Sequence, residues 1–338
     1  MKLLKTLIAT TALVGAGAMA MAESHGGMAN PAVIFDLGGK FDKSFNEMSY
    51  TGAERFTADT GIEYREFELQ SDAQREQALR RFAQAGNNPV VVAGFSNATA
   101  MATVAPDFPD TSFVIIDMVV DLPNVRSVVF AEQEGSYLVG LLAAMASKTG
   151  TVSFVGGMDI PLIQNFQCGY AQGAKSVGDI TVIGAMTGTD GSAWNNPVKG
   201  GEITMSQIES GSDVVFAAAG GTGRGVLQAA ADASIMGIGV DANQNYMHPG
   251  NMLTSMIKRV DNAVYDAFND VNNGEFTAGI QVMGLAQDGV GWALDEHNEA
   301  LITDEMRAAV AEARAAIIAG DIVVHDYRTD NTCPVEIN

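Results

Sequence analysis

Positive charge is scarce in this chain of 338 residues: 19 Lys and Arg stand against 40 Asp and Glu, a formal charge of −21. Binding to nucleic acid or to an anionic membrane surface needs clustered basic residues, and this composition argues against both. The apolar stretch 7–18 is too short to anchor as a membrane span. The four histidines, His25, His248, His297 and His325, form no metal-spaced pair. There is no Gly-x-Ser-x-Gly elbow, which leaves serine-hydrolase chemistry without its usual signature. Nothing calls for a cofactor or a metal. There is also no long linker and no low-complexity tract. With only two cysteines, the chain can close at most one internal disulfide.

The beginning of the chain is a targeting segment. Lys2 and Lys5 precede the apolar stretch, and Ala20-Met21-Ala22 is an A-x-A cleavage pattern before Glu23. Residues 1–22 read as a cleavable signal peptide, and losing its two lysines takes the formal charge to −23. Cys168 and Cys333 survive cleavage. In an oxidising exported compartment they are a candidate disulfide tying the C-terminal tail to a helix far back in the chain; two buried thiols are the alternative.

From Pro31 onward, short apolar runs alternate with amphipathic segments. Strands are predicted at 32–35, 62–67, 90–93, 113–116 and 125–130, with a helix at 71–84 whose Ala73, Ala78, Leu79 and Phe82 share a face. A second set follows: strands at 151–155, 181–185, 214–217, 238–240, 252–257 and 279–285, and helices at 132–147, 162–177, 196–209, 222–233 and 261–271. A helix at 304–319 and a short strand at 322–324 close the chain. Such alternation implies two doubly wound parallel α/β lobes. A β–α–β unit follows the second lobe's last ligand-facing turn, so the lobes exchange strands more than once.

In open α/β sheets ligands bind at the carboxyl edge. Asp36 and Asp117 end strands of the first lobe, and Asp241 ends one in the second. Ser44 with Glu47 three residues on has capping-box spacing, which would present Phe45 and Asn46 to the same rim as Asp36. The plainer alternative is an ordinary βα turn with a capping Asp and a core Phe. Trp194, in the loop 191–197, is either a hydrophobic plug or a stacking face. Asp241 and Lys258 could bracket vicinal hydroxyls, one accepting and one donating, or form an ion pair between lobes. The turn 220–225 lacks the endings of both P-loop and dinucleotide motifs, and suits backbone contact to a neutral ligand better than phosphate.

Together these residues resemble the basic membrane protein family, the PnrA-like substrate-binding proteins of ABC transporters. The resemblance rests on Phe35-Asp36-Leu37-Gly38 with Asp42-Lys43-Ser44-Phe45-Asn46, on residues 113–117, 130–140, 156–161 and 166–173, on Ala218-Ala219-Gly220-Gly221-Thr222-Gly223, on Gly239-Val240-Asp241 and on residues 253–264. It implies a type I periplasmic binding fold, two lobes joined by three crossover strands. The lobes would be 30–129 with 259–281 and 130–258 with 282–326, followed by a tail, 327–338. It implies a non-enzymatic, monomeric binder that takes a purine nucleoside and hands it to a membrane permease. By motif position, Asp36, Asn46 and Asp117 would read the base, Phe45 and Trp194 would stack on it, and Gly221, Asp241 and Lys258 would hold the ribose. The sequence departs in having Trp194 where Phe is usual, and in lacking a lipobox cysteine, which implies a free periplasmic protein. The competing readings are the same fold with a sugar or signalling ligand, and an exported nucleoside hydrolase.

Overall fold

Strands of a parallel sheet covered on both faces must be apolar along their length. In the computed structural model, which describes residues 29–338, β1 (Ala32–Phe35), β3 (Val90–Val92) and β4 (Phe113–Ile116) are wholly buried. The expected signal peptide, 1–22, lies outside the described residues. With β2 (Arg65–Glu68), β5 (Val125–Phe130) and β11 (Gly279–Met283), these strands form a six-stranded parallel sheet in the order β11-β5-β4-β3-β1-β2. A second sheet is built from β6 (Thr151–Met158), β7 (Thr181–Gly188), β8 (Val214–Ala218), β9 (Met236–Asp241), β10 (Met252–Lys258) and β12 (Val290–Trp292). Its order is β12-β10-β9-β8-β6-β7, and only β12 runs antiparallel.

The chain passes between the sheets three times. It goes from β5 to β6 through α4 (Glu132–Ala146), from β10 to β11 through α8 (Val260–Asn273), and directly from β11 to β12. α4 packs on α5 (Pro161–Lys175) at close range because glycines face the partner backbone. A Cβ on Gly173 would lie 2.0 Å from the Tyr137 carbonyl oxygen, and one on Gly140 2.1 Å from that of Tyr170. This packing fixes Glu132 and Asn165.

Some elements differ from the sequence reading. The strand expected at 62–67 starts only at Arg65, because Ile62 and Tyr64 pack against the core before the chain joins the sheet. The helix expected at 71–84 is a short 3-10 turn, Asp72–Gln74, followed by α2 (Arg75–Gln84). No strand forms at 322–324, where Val323 is 84% exposed and has no neighbouring strand. Cys168 on α5 is bonded to Cys333, S–S 2.10 Å, with the two Cα atoms 5.6 Å apart.

Candidate functional site

The carboxyl ends of both sheets meet at one cavity. Asp36, Phe45, Asn46, Asp117, Trp194, Asp241 and Lys258 all line it. Gly221 does not. Its neighbour Gly220 reaches the wall, while a Cβ on Gly221 would point at the Trp194 and Gly38 carbonyl oxygens, 3.1 and 3.6 Å away.

The turn from β1 into α1 (Phe45–Thr60) is held differently from a Ser44/Glu47 capping box. Asp42 is the cap: Oδ1 accepts from the Ser44 and Glu47 N–H groups at 2.8 and 3.1 Å, and Oδ2 from that of Asn46 at 3.0 Å. Ser44 makes no cap bond of its own. Its hydroxyl instead donates across the cleft to Asp241 Oδ2. Burial pushes the Asp42 carboxyl up to about 7 despite its three N–H partners. Asn46 Oδ1 accepts from Asp36 N at 2.9 Å, and Nδ2 donates to the carbonyls of Asp36 and Gly39 at 3.2 and 3.3 Å. Its amide thus braces the turn that carries Asp36, while the side chain lines the cavity.

Asp36 accepts from Arg75 at 2.6 Å and from the Leu37 N–H at 2.7 Å, both through Oδ1. Oδ2 lies over Gly94, where a Cβ would stand 2.0 Å from it, and Gly94 has φ +95°, so glycine is required there on both counts. Burial raises the Asp36 pKa, and Arg75 pulls it back only in part.

Lys258, at the end of β10, is the only cation among the residues that line the cavity. It is 1% exposed. Both Asp117 oxygens lie 2.7 Å from its Nζ, and Glu132 Oε1 lies at 3.1 Å. The rings of Phe130, Phe45 and Phe166 surround it at 4.9, 5.4 and 5.5 Å. Burial works against its charge, but Asp117, Glu132 and Asp241 outweigh that and raise its pKa. Burial likewise raises Asp117 to about 6 and raises Asp241, Lys258 opposing in both cases. Lys258 thus makes its ion pairs with Asp117 and Glu132; the direct partner of Asp241 is Ser44. Asp117 and Asp241 have φ of +70° and +63°, a conformation that turns each carboxylate out of its strand at the sheet edge.

Sequence reasoning did not single out Arg75, Glu132 or Phe166. Glu132 and Phe166 fall in segments that carried the resemblance, but they sit one element away from the strand-end turns. Arg75 had no signal beyond its place on a helix. Asn97 donates from its amide to the carbonyls of Ala93 and Gly94. Among the described residues, no cluster of His, Cys, Asp and Glu is arranged to hold a metal ion, and no helix is long and apolar enough to cross a membrane.

Residues 29–326 match the family model of the ABC transporter substrate-binding protein PnrA-like group. The chain belongs to that family. It is 33% identical over 318 residues to the ABC transporter nucleoside-binding protein BmpA of Lactococcus lactis, covering 87% of this chain and 88% of the relative. It is also 33% identical to an uncharacterized lipoprotein of Pyrococcus horikoshii, over 83% of this chain and 73% of that one. An ABC transporter solute-binding protein from Aeropyrum pernix superimposes with a TM-score of 0.80 at 29% identity, covering 88% of this chain and 94% of that one. One from Conexibacter woesei superimposes at 0.72 and 22% identity, covering 88% and 99%, and bears on the fold alone. This PnrA-like protein is thus a substrate-binding protein of an ABC transporter with a type I periplasmic binding fold, a role that entails a ligand and a permease.

Proposed function

We propose that this PnrA-like protein binds a purine nucleoside between its lobes and delivers it, chemically unchanged, to the permease of an ABC importer. The observation that carries this reading is the make-up of the cavity wall: the aromatic side chains Phe45 and Trp194, with Phe95 and Phe166, together with Asp36, Asp42, Asp117 and Asp241. The single lining cation is already engaged by carboxylates, so a phosphate would find no available positive charge, and a neutral ligand fits better. A planar base offers faces to the rings and N–H donors to Asp36 and Asp117. Ribose hydroxyls can donate to Asp241, with Gly220 allowing close approach. Lys258 keeps Asp117 ionised as an acceptor, and Asn46 holds the Asp36 turn.

The magnitudes suffice. Stacking contributes about 1–3 kcal/mol per base, buried hydrogen bonds to carboxylates about 1.5–3 kcal/mol each, and micromolar affinity needs about 8 kcal/mol net. The nucleoside-binding relative from L. lactis supports the same ligand class. The leader sequence supports a protein exported to the periplasm.

Thermal unfolding with a panel of nucleosides, free bases, hexoses and amino acids tests the reading. A purine nucleoside at 100 times its Kd should add about 2.7 kcal/mol of stability. A shift with hexoses or amino acids and none with nucleosides would overturn it. Chromatography of the incubated nucleoside should recover it intact; release of free base would make the protein a hydrolase.

A further inference from the structure

Glu132 is completely buried at the start of α4, the first crossing between sheets. It approaches Lys258, which already has Asp117 against it and Asp241 nearby. One ammonium cannot balance three buried carboxylates, and an unbalanced buried charge is costly. The second cation comes from the C-terminal tail, beyond the segment that the family model matches. Arg328 Nη1 lies 3.0 Å from Glu132 Oε2, and Asn165 Nδ2 lies 3.4 Å from the same oxygen.

The tail is fastened along its length. Asp326 takes two bonds from the Arg328 side chain, at 2.8 and 2.9 Å, and Arg328 also donates to the Phe130 carbonyl at the end of β5, at 3.0 Å. Tyr327 N donates to Asn165 Oδ1 at 3.0 Å, and His325 and Gln172 exchange bonds at 2.9 and 3.1 Å. Cys333 is bonded to Cys168 on α5. Asn338 pairs with the edge of β7, with both of its bonds at 2.9 Å.

We propose that Arg328, delivered by this tail and retained by the Cys168–Cys333 bond, is a positioning residue of the ligand site. It occupies Glu132, so Lys258 stays directed at Asp117 and the cavity. Without it, Glu132 competes with Asp117 for the ammonium. The inference rests on the cavity being the ligand site.

The test uses the mature full-length protein as wild type, Arg328→Ala, Arg328→Lys, Cys333→Ser and the double variant Arg328→Ala/Glu132→Gln. Calorimetric titration with guanosine and inosine at pH 7.5 should show Kd raised about ten- to a hundredfold in Arg328→Ala. Arg328→Lys should recover most of the loss, and Cys333→Ser should fall between wild type and Arg328→Ala. The double variant should bind more tightly than Arg328→Ala, because a neutral Gln no longer competes for Lys258. Affinity in Arg328→Ala within twofold of wild type, or no recovery in the double variant, overturns the proposal.

If the wild type binds neither nucleoside, the ligand reading is what fails, and unfolding of the ligand-free proteins decides this one. The groups facing Glu132 and Lys258 are Arg328, Asp117, Asp241 and the neutral Asn165, with Asp326 behind Arg328. The Tm loss of Arg328→Ala should be larger at pH 8 than at pH 5.5, where Asp117 takes up a proton, and Glu132→Gln should restore it at pH 8. A loss independent of both pH and Glu132→Gln overturns the proposal.

Discussion

Ser44, at the start of α1 in the first lobe, donates its hydroxyl to Asp241, at the end of β9 in the second. Beside it, Gln244 Nε2 donates to the Lys43 carbonyl at 2.8 Å. The lobes are thus latched by direct bonds beside the cavity, and Asp241 serves both the latch and the wall. Hydrogen bonds to a charged group contribute about 1.5–3 kcal/mol net. Ser44→Ala should therefore shift the ligand-free protein toward a more open form, read as a larger radius of gyration by small-angle X-ray scattering, with nucleoside restoring the compact value. Equal radii for mutant and wild type without ligand would show that the latch does not set the opening.

Asp241→Ala and Trp194→Ala should divide the ligand between them. Removing Asp241 leaves Lys258 its contacts with Asp117 and Glu132, so the loss is that of an acceptor rather than of a whole ion pair. That corresponds to about 1.5–3 kcal/mol, or roughly 10- to 150-fold in Kd, for a riboside and much less for its free base. Trp194→Ala should weaken both alike, by about 1–3 kcal/mol. Calorimetry with guanosine and guanine separates the two patterns. Wild-type riboside affinity in a folded Asp241→Ala protein would return Asp241 to a purely structural role.

Architecture was legible in the sequence because parallel strands advertise themselves as apolar runs, and because each run ends in a polar or glycine-rich turn. Asp36, Asp117 and Asp241 stood out for that reason. What was not legible was which partner each side chain takes. Ser44 has the spacing of a cap, yet Asp42 reaches the same N–H groups first and leaves the serine to cross the cleft. Lys258 was read with Asp241, but Glu132 and Asp117 lie closer, and their arrival depends on α4 packing and on β4 register, neither of which is local. Strand edges failed for a similar reason. β12 is three residues long and exists only because β10 is there to pair with it.

The Cys168–Cys333 bond closes a sequence separation of 165 residues. In the chain-entropy picture a disulfide contributes around 2–4 kcal/mol when unstrained. Thiol titration of the denatured, unreduced protein purified from the periplasm should find no free thiol, and Cys333→Ser should lower Tm by several degrees. Two titratable thiols in that preparation would mean the cysteines remain reduced in the cell.

Two opposite pH dependences follow from the buried carboxyls. Asp42 and Asp117 titrate at about 7 and about 6, above the ordinary 3.8, chiefly because burial disfavours the anion. A carboxyl with a raised folded-state pKa holds its proton more tightly than the unfolded chain does. Its contribution to stability is therefore fully present below about pH 4 and is lost as pH rises through 6 to 7. Ligand binding runs the other way, because a base N–H donates far more favourably to the ionised Asp117 carboxylate than to its protonated form. Below about pH 6 a proton must first leave, and nucleoside Kd should then rise toward a tenfold increase per pH unit. Asp117→Asn removes that titration. Its affinity should be weak at pH 7.5 and nearly flat down to pH 5, whereas the wild type should lose about tenfold over the same interval. Calorimetric titrations at pH 5, 6 and 7.5, with unfolding of both ligand-free proteins at each pH, read the two effects separately. A wild-type Kd that does not change between pH 5 and 7.5 would show that Asp117 accepts no proton-sensitive bond from the ligand.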